Sequence, residues 1–403
     1  MKILVLSNLY PPHAIGGYEE RCRQIIDRLR ARGHDIRVLT STHGVEGEQT
    51  EGHVHRRLRV HGFFGHPWLP IQRLYALEKH NQAVLREELA SFQPDVVHVW
   101  NLGGISKALT LALQQCGRPV VYDVSDHWIA RSLKADVWLR WWNGDSGGAA
   151  AGVLRALLKL SGLASAIKAN APFAPWPEIE FRRIYFCSEA LKQITIAKGY
   201  DLQHARVIYC GIETEKFQLR SDSERFTRLL YVGRLSEDKD PLVAIRAMKR
   251  LPSHFSLSLY GRGDEDYMNQ LRDEARELGT RVEFKTASAG EMAQVYSQYD
   301  ALLFTSAWEE PFALTPLEAM AARLPVVGTL EGGSRELIRH GENALAFRTG
   351  NAEDLATQIL RMEAEPTLRR AMAETAFCEV RERYDIEEIT TQIETTLNQS
   401  LKA

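Results

Sequence analysis

Two cationic side chains, Arg234 and Lys239, flank the short segment Leu235–Asp238, which follows an apolar stretch and precedes a helical pattern. A turn of this length lets both charged tips reach one anion. Charge-assisted hydrogen bonds to such a group contribute roughly 1.5–3 kcal/mol each. The segment therefore fits a diphosphate, although two surface cations alone are also typical of a solvated loop.

Two carboxylates, Glu310 and Glu318, are eight residues apart farther along the chain. Thr315 and Pro316 predict a helix start with Thr315 as N-cap, which makes Glu318 a capping-box partner in one interpretation. The free N–H groups of a helix start attract anions, so the backbone of Phe312, Ala313 and Leu314 can hold phosphates. Glu310 precedes this loop and can accept hydrogen bonds from sugar hydroxyls. Together these groups suit a polyol linked to a diphosphate.

The elements that must position these residues alternate between apolar strand patterns and helical patterns, twice along the chain. Such alternation predicts βαβ units and parallel sheets, hence an α/β fold with two Rossmann-like domains facing each other across a cleft. We place the first domain at residues 1–206 and the second at 207–385. We expect a last helix, about 386–403, to pack back on the first domain. A cleft between two such sheets is the natural active site.

The bulk properties are those of an ordinary globular chain. Its 403 residues are 44% hydrophobic and 25% charged with a net charge of −2, which excludes a disordered chain and predicts two or three domains. No apolar run approaches the ~18 residues of a spanning helix, and we expect the short apolar start to be a buried strand rather than a signal peptide. Five scattered cysteines fit reduced thiols. We therefore expect a cytoplasmic protein.

Basic residues outnumber acidic ones over 1–205, and the reverse holds over 206–403. A positive first half fits an anionic partner such as a phospholipid surface or a phosphorylated acceptor, or else a solvated basic helix face. We expect no nucleic-acid partner.

The segment 128–168 interrupts the alternation. It begins with four tryptophans: Trp128, Trp138, Trp141 and Trp142. Gly/Ala-rich sequence follows, and then the pattern of a basic amphipathic helix over 153–168. This pattern predicts peripheral contact with the inner face of an anionic cell membrane, with tryptophans at headgroup level, or else a helix packed on the core.

Five short segments of the chain together resemble the sequence motifs of one protein family. The segments are similar to those of retaining glycosyltransferases of family four, which have the GT-B architecture of two Rossmann-like domains. The resemblance covers nearly the whole chain and is carried by the segments Gly16-Gly17-Tyr-Glu19, Arg32-Gly33-His34-Asp35, Gly233-Arg234-Leu-Ser-Glu-Asp-Lys239 (G-R-L-x-x-x-K in the family), Glu310 to Glu318 (E-x7-E) and Glu331-Gly332-Gly333-Ser-Arg-Glu336 (G-G-x-x-E).

The resemblance implies metal-independent transfer of a hexose-type sugar with retained anomeric configuration. The donor is a nucleotide-diphosphate sugar, with UDP or GDP expected, and no cofactor is implied. Arg234 and Lys239 would neutralise the diphosphate. Glu310 would contact the donor sugar and Glu318 the ribose hydroxyls.

The remaining implied donor contacts come from main-chain groups: Gly16, Gly17, Gly233, Phe312, Ala313 and Leu314. The glycines would let the backbone approach the phosphate or sugar. The acceptor, held on the first domain, is a glycan, a lipid-linked sugar or a small molecule.

One departure from the family concerns the acceptor side. The family often has His-Asp after the strand that ends at Val124, and here Ser125 and Asp126 take those places, with His127 next. Asp126 is the first candidate for contact with the acceptor hydroxyl and His127 the second, while a simple loop histidine is the other interpretation. His98 also fits a family position or a core role.

Two weaker patterns are set aside. Gly261-Arg-Gly263 lacks the third glycine of a dinucleotide fingerprint. Asp238-Lys-Asp240 and Asp264-Glu-Asp266 match a D-x-D metal pattern of a different glycosyltransferase architecture, so we predict no required metal. The alternatives to a transferase are a silent sugar-nucleotide-binding subunit and an epimerase or hydrolase of the same architecture.

Overall fold

The computed structural model describes residues 1–13, 16–62, 69–131, 135–220 and 225–402. The chain divides into two compact units. Unit 1 contains Met1–Cys187, Lys192–Ile208 and the residues from Thr390 onward, and unit 2 contains Ser188–Leu191 and Tyr209–Ile389.

Unit 1 is built on a sheet in which, among the described residues, eight strands lie in the order β3-β4-β2-β1-β5-β6-β7-β8. Only β3 runs antiparallel to its neighbour β4. The strands are β1 Lys2–Ser7, β2 Asp35–Ser41, β3 Gln49–Glu51, β4 Val54–Leu58, β5 Val96–Asn101, β6 Val120–Val124, β7 Ile184–Phe186 and β8 Arg206–Val207.

The helices of unit 1 are α1 Gly17–Ala31, α2 Ile71–Phe92, α3 Ala108–Gln114, α4 Val137–Asn143, α5 Gly148–Leu160 and α6 Leu163–Asn170. Helix α7, Glu189–Ala197, begins in unit 2 and ends in unit 1.

Unit 2 has a parallel sheet in the order β11-β10-β9-β12-β13-β14. Its strands are β9 Arg228–Val232, β10 Ser256–Tyr260, β11 Val282–Lys285, β12 Ala301–Phe304, β13 Val326–Gly328 and β14 Leu345–Ala346. Its helices are α8 Pro241–Met248, α9 Glu265–Ala275, α10 Ala289–Val295, α11 Leu314–Ala321, α12 Ser334–Leu337, α13 Ala352–Ala364, α14 Pro366–Arg383 and α15 Ile386–Ser400, whose last residues belong to unit 1.

The strand sequences explain these sheets. β1 and β12 are fully apolar in their centres and are buried on both faces, as parallel strands covered by helices must be. In each sheet the strand order reverses direction at one place, between β1 and β5 and between β9 and β12. Ligands of such sheets bind beyond the carboxyl ends of the strands at this switch point.

Two expectations about the chain path need correction. The helix expected over 153–168 is two helices, α5 and α6, which meet at 94° because the chain breaks at Gly162 with φ of +77°. Residues 188–191 belong to unit 2 rather than to the first domain, because the Ser188 hydroxyl donates to Pro311 O and the Glu189 and Ala190 N–H groups donate to Glu336.

Of the two interpretations of the tryptophan segment, a position at headgroup level is wrong for the four tryptophans, which are core residues. Trp128, Trp138, Trp141 and Trp142 are all buried, because they pack on one another and on neighbouring phenylalanines. Within the described ranges no single helix is long and apolar enough to cross a membrane, and only α5 and α6 taken together reach that length and composition.

Candidate active site

The candidate donor site lies at the switch point of the unit 2 sheet. Neighbouring strands β9 and β12 lead into the loops 233–239 and 305–310. These loops are joined directly, because the Thr305 hydroxyl donates to Lys239 O at 2.8 Å and the Ala307 N–H donates to Asp238 O at 3.0 Å. The sheet thus brings together two motifs that are about 70 residues apart.

Lys239 and Glu310 meet at this junction. The Lys239 ammonium donates a hydrogen bond to Glu310 Oε1, and the Ser306 hydroxyl donates to the same oxygen at 2.7 Å. Both charged side chains remain partly accessible, with 19% of Lys239 and 10% of Glu310 exposed. A ligand at this point can therefore contact the cation and the carboxylate at once.

Arg234 is held more loosely. Its side chain is 66% exposed and pairs with Asp238 at 3.1 Å, while its carbonyl accepts a hydrogen bond from Tyr231 Oη at 2.7 Å. Burial alone would raise the pKa of Asp238, but hydrogen bonding from Ser236 and the charge of Arg234 hold this pKa below its ordinary value. The guanidinium is thus free to turn toward an anion while its backbone stays fixed.

The glycines of the rejected dinucleotide pattern have a packing role. A Cβ at Gly261 would lie 1.9 Å from Gly233 O, and one at Gly263 would lie 2.0 Å from Leu235 O. Only glycine permits this approach. The loop after β10 thereby supports the cationic loop after β9.

Gly332 and Gly333 lie against the backbone of Glu310. Gly332 has φ of +58°, and a Cβ there would come within 2.4 Å of Glu310 O, while the Gly333 N–H donates to that same oxygen at 2.7 Å. The two glycines therefore fix the carboxylate loop from behind.

Helix α11 begins earlier than expected. Its first residue is Leu314 with Ala313 as N-cap, so Thr315 is not the cap and Glu318 is not a capping-box partner. Phe312 is buried and packs on Tyr209 and Tyr384. This packing fixes the chain just before the helix, which begins at Leu314 rather than at the expected Pro316. Within the described residues the N–H groups of Ala313 and Leu314 have no hydrogen-bond acceptor, as a phosphate-binding helix start requires.

Glu318 lies one turn farther along α11 and bonds to the interior of unit 2. Tyr296 donates a hydrogen bond to Glu318 Oε2 at 2.6 Å. Burial raises the pKa of Glu318 to about 7, and the hydrogen bond from Tyr296 opposes this shift. The carboxyl group can thus change its charge near neutral pH.

In unit 1, a buried polar network lies at the carboxyl end of β6. Asp123 forms an ion pair with Arg21 at 3.0 Å and accepts hydrogen bonds from Ser125 Oγ at 2.7 Å and Tyr18 Oη at 2.9 Å. Ser125 is thus engaged with Asp123 and Arg21. This network ties the start of α1 to the loop with the acceptor candidates.

The two acceptor candidates differ in exposure. Asp126 is partly exposed, and its Oδ1 accepts a 2.6 Å hydrogen bond from the His127 N–H, while His127 is 4% exposed. The geometry therefore favours Asp126 for contact with an acceptor. His98 bonds to Tyr185 and Trp100, and burial lowers its pKa to about 4, as expected for a core residue.

Gly16 and Gly17 lie at the start of α1. Gly16 is the N-cap with an extended backbone, and its N–H donates to Glu19 Oε2 at 2.9 Å. A Cβ at Gly16 would be 3.8 Å from its nearest neighbour, so unit 1 itself does not require glycine there.

Family sequence models account for almost the whole chain. A model described as Glycosyltransferase Family 4 matches residues 15–216, which is half of the chain, and one described as Glycosyl transferases group 1 matches residues 211–377. The chain is a group 1 glycosyltransferase. The second model spans the loops that hold Lys239, Glu310 and Gly332.

Individual relatives agree with this assignment. Glycogen synthase of Mycobacterium tuberculosis is 27% identical over 97% of this chain and 93% of its own. Sulfoquinovosyl transferase SQD2 of Arabidopsis thaliana is 24% identical over 94% of this chain and 70% of its own. The first is a synthase and the second a transferase by name, in agreement with a glycosyltransferase enzyme.

Solved structures show the same fold. Anabaena Alr3699/HepE, crystallised with UDP and glucose, matches with a TM-score of 0.68 and 21% identity over 99% of this chain and 100% of its own. Sucrose-phosphate synthase from Thermosynechococcus elongatus matches with a TM-score of 0.71 and 20% identity over 99% and 98%. The fold of two Rossmann-like domains, GT-B, is thereby confirmed.

Sequence reasoning missed several supporting residues of this glycosyltransferase. Ser306 holds Glu310, Thr305 holds the Lys239 backbone, Tyr296 holds Glu318 and Tyr231 holds Arg234. Ser306 and Thr305 could have been found because they follow a strand at the switch point. Tyr296 carries no local signal, since only the fold brings it to Glu318.

Neither D-x-D pattern forms a metal cluster in the described residues. Asp238 pairs with Arg234, and Asp240 and Asp264 cap the helices α8 and α9. Metal independence stays a prediction.

Proposed function

We propose that this protein is a retaining, metal-independent hexosyltransferase that uses a nucleotide-diphosphate sugar, with UDP or GDP as the nucleotide. The contact of Lys239 with Glu310 at the switch point carries the proposal. A cation for the diphosphate and an acceptor-only carboxylate for the sugar hydroxyls lie side by side there. Relatives support it, since Anabaena Alr3699/HepE was crystallised with UDP-glucose.

The proposed chemistry breaks the bond between the anomeric carbon and the diphosphate oxygen. The bond to the acceptor oxygen forms on the same face of the sugar, and the acceptor proton passes to a phosphate oxygen. Lys239, Arg234 and the start of α11 stabilise the negative charge that grows on the diphosphate. Glu310 orients the sugar, and Glu318 binds the ribose hydroxyls. No role as a nucleophile is assigned to Glu310.

The acceptor side is assigned to unit 1, with Asp126 as the residue that contacts the acceptor hydroxyl. A glycan, a lipid-linked sugar and a small alcohol all present such a hydroxyl. We place the reaction in the cytoplasm, where nucleotide sugars and reduced cysteines both fit.

Product analysis tests this proposal. The enzyme is incubated with UDP- or GDP-hexoses and candidate acceptors, with and without EDTA. We expect a glycoside of unchanged anomeric configuration plus nucleoside diphosphate, in equal amounts, with EDTA or without. An epimerised donor, free sugar alone, inverted product or EDTA-sensitive transfer would each contradict a named part of the proposal.

A further inference from the structure

Helices α5 and α6 of unit 1 present an apolar surface that the proposed reaction does not use. We propose that this surface, residues 148–170, docks the enzyme on an anionic phospholipid bilayer. The inference rests on the proposed function in one respect: if the enzyme docks on a bilayer, a lipid-linked sugar is favoured over the other two acceptor classes. Bilayer docking itself requires no donor.

The exposed apolar side chains of the described residues are concentrated here. Nine large apolar side chains are exposed in the described ranges, and five of them lie within eleven residues of one another: Val153, Leu154, Leu157, Leu160 and Leu163. Val153, Leu157 and Leu160 share one helix face by their spacing, and Leu160 is 85% exposed. Soluble monomers rarely expose a contiguous apolar patch without an interaction role.

The charge of the segment suits an anionic surface. No acidic residue occurs between Asp145 and Glu178, whereas Lys159 and Lys168 are both exposed there. Lysines that flank an apolar helix face attract anionic headgroups while the apolar side chains enter the acyl boundary.

The surface is fixed to unit 1 by its inner side. Arg155 donates hydrogen bonds to Trp141 O at 2.7 Å and Ser146 O at 3.2 Å, and its guanidinium lies over the Trp141 ring. Trp142 in turn stacks on Phe173 with ring centroids 3.7 Å apart. The buried aromatic residues therefore support α5 from below and leave its leucine face outside.

The geometry favours a bilayer surface over a protein partner. Protein interfaces are enriched in tyrosine, tryptophan and arginine, whereas the exposed side chains here are aliphatic with lysines beside them. The 94° bend places Leu160 and Leu163 at the corner between the helices. With 13 residues, α5 is roughly 20 Å long, shorter than a bilayer core, so it suits a position in the interface plane.

Vesicle flotation of the full-length protein, without donor, tests the proposal. We expect the protein to float with vesicles containing phosphatidylglycerol at low salt, and to float less with pure phosphatidylcholine or at high salt. The variant Leu157→Glu/Leu160→Glu should lose at least about tenfold in vesicle affinity, and Lys159→Gln/Lys168→Gln about threefold or more.

The matched control is Leu219→Glu/Leu360→Glu, which adds the same charge at two exposed leucines of unit 2 and should bind as the native protein does. Thermal melting of each variant shows that it is folded. Alkaline carbonate should release the bound protein, because a docked protein does not span the bilayer.

Three outcomes would overturn the proposal. They are absence of binding at low salt, binding that the Leu157→Glu/Leu160→Glu variant retains, and binding that resists carbonate. The native protein could instead fail to bind vesicles and sediment as a dimer that the Leu157→Glu/Leu160→Glu variant does not form. That result would assign the surface to contact with a second copy of the chain. Transfer to a water-soluble acceptor without vesicles reports on the proposed function separately.

Discussion

At the residue scale, the paired charges of Lys239 and Glu310 dominate the candidate donor site. Each is the other's partner across two loops, and Ser306 shares the same carboxylate oxygen. The ammonium supplies the charge that a departing diphosphate needs, and the carboxylate supplies an acceptor for hydroxyls. The two groups are therefore testable one at a time.

Lys239→Gln should lower kcat by about 10²–10³-fold, because one preorganised charge is lost from the transition state. The melting temperature should change little, since Lys239 is partly exposed. Steady-state kinetics and thermal melting measure the two effects. Lys249→Gln, at a surface lysine that pairs with Glu274, is the control and should keep full activity. An active Lys239→Gln enzyme would remove this residue from the site.

Glu318 predicts a pH dependence of stability. Its pKa is raised to about 7 in the folded protein by burial, against about 4.3 in an unfolded chain. Between these values the unfolded state loses the proton first, so the Glu318 contribution to stability falls as pH rises through this window, by ~1.4 kcal/mol per pH unit.

Glu318→Gln removes this titration. As the pH rises from about 5 to about 8, the free energy of unfolding of the variant should increase by about 2–3 kcal/mol relative to that of the native protein. Denaturant unfolding at both pH values measures the difference. A difference that does not change with pH would show that Glu318 titrates normally.

At the scale of elements, close approaches between loops hold the site together. The loop after β10 touches the cationic loop through Gly261 and Gly263, and the segment before α12 touches Glu310 through Gly332 and Gly333. Neither approach tolerates a side chain. Glycine positions that look like motif letters are thus sites of backbone contact.

Gly332→Ala should destabilise the fold by about 2–4 kcal/mol and lower activity, because φ is positive there and the new Cβ meets the Glu310 backbone. Gly290→Ala is the matched control: Gly290 is exposed at the start of α10 with open space around its Cβ position, so alanine should be neutral or stabilising by up to ~1 kcal/mol. Equal melting of the two variants would contradict the packing argument.

At the scale of the whole molecule, both units use one plan, a sheet of mainly parallel strands whose order reverses beside the first strand. In unit 2 the reversal collects the cation, the carboxylate and the helix start. In unit 1 it lies beside the network of Arg21, Asp123 and Tyr18. Binding of a donor to unit 2 should accordingly stabilise the folded enzyme.

A UDP- or GDP-sugar at ~100 times its Kd should stabilise the protein by about 2.7 kcal/mol, which raises Tm by a few degrees. Differential scanning fluorimetry across UDP-, GDP- and ADP-sugars measures the shift. The free nucleosides should give a much smaller shift, because they lack the diphosphate. The shift should shrink in Lys239→Gln, and an equal shift with nucleoside alone would argue against the diphosphate contacts.

Much of this architecture follows from the sequence by itself. Continuous apolar runs and 3.6-residue periodicity predict the alternation of strands and helices in both halves of the chain, because burial of a parallel strand or a helix face leaves a local pattern. The motif residues Lys239, Glu310 and Gly332 were likewise visible as residue types at fixed spacings.

What the sequence could not decide depends on distant contacts. The start of α11 at Leu314 is set by Phe312 packing on Tyr209 and Tyr384, and the role of Glu318 is set by Tyr296. The tryptophans near α4 are buried by neighbours that no local pattern identifies. Only the tertiary structure determined these features. Burial and hydrogen bonding stabilise contacts between residues that are far apart in the sequence, and folding alone brings such residues together.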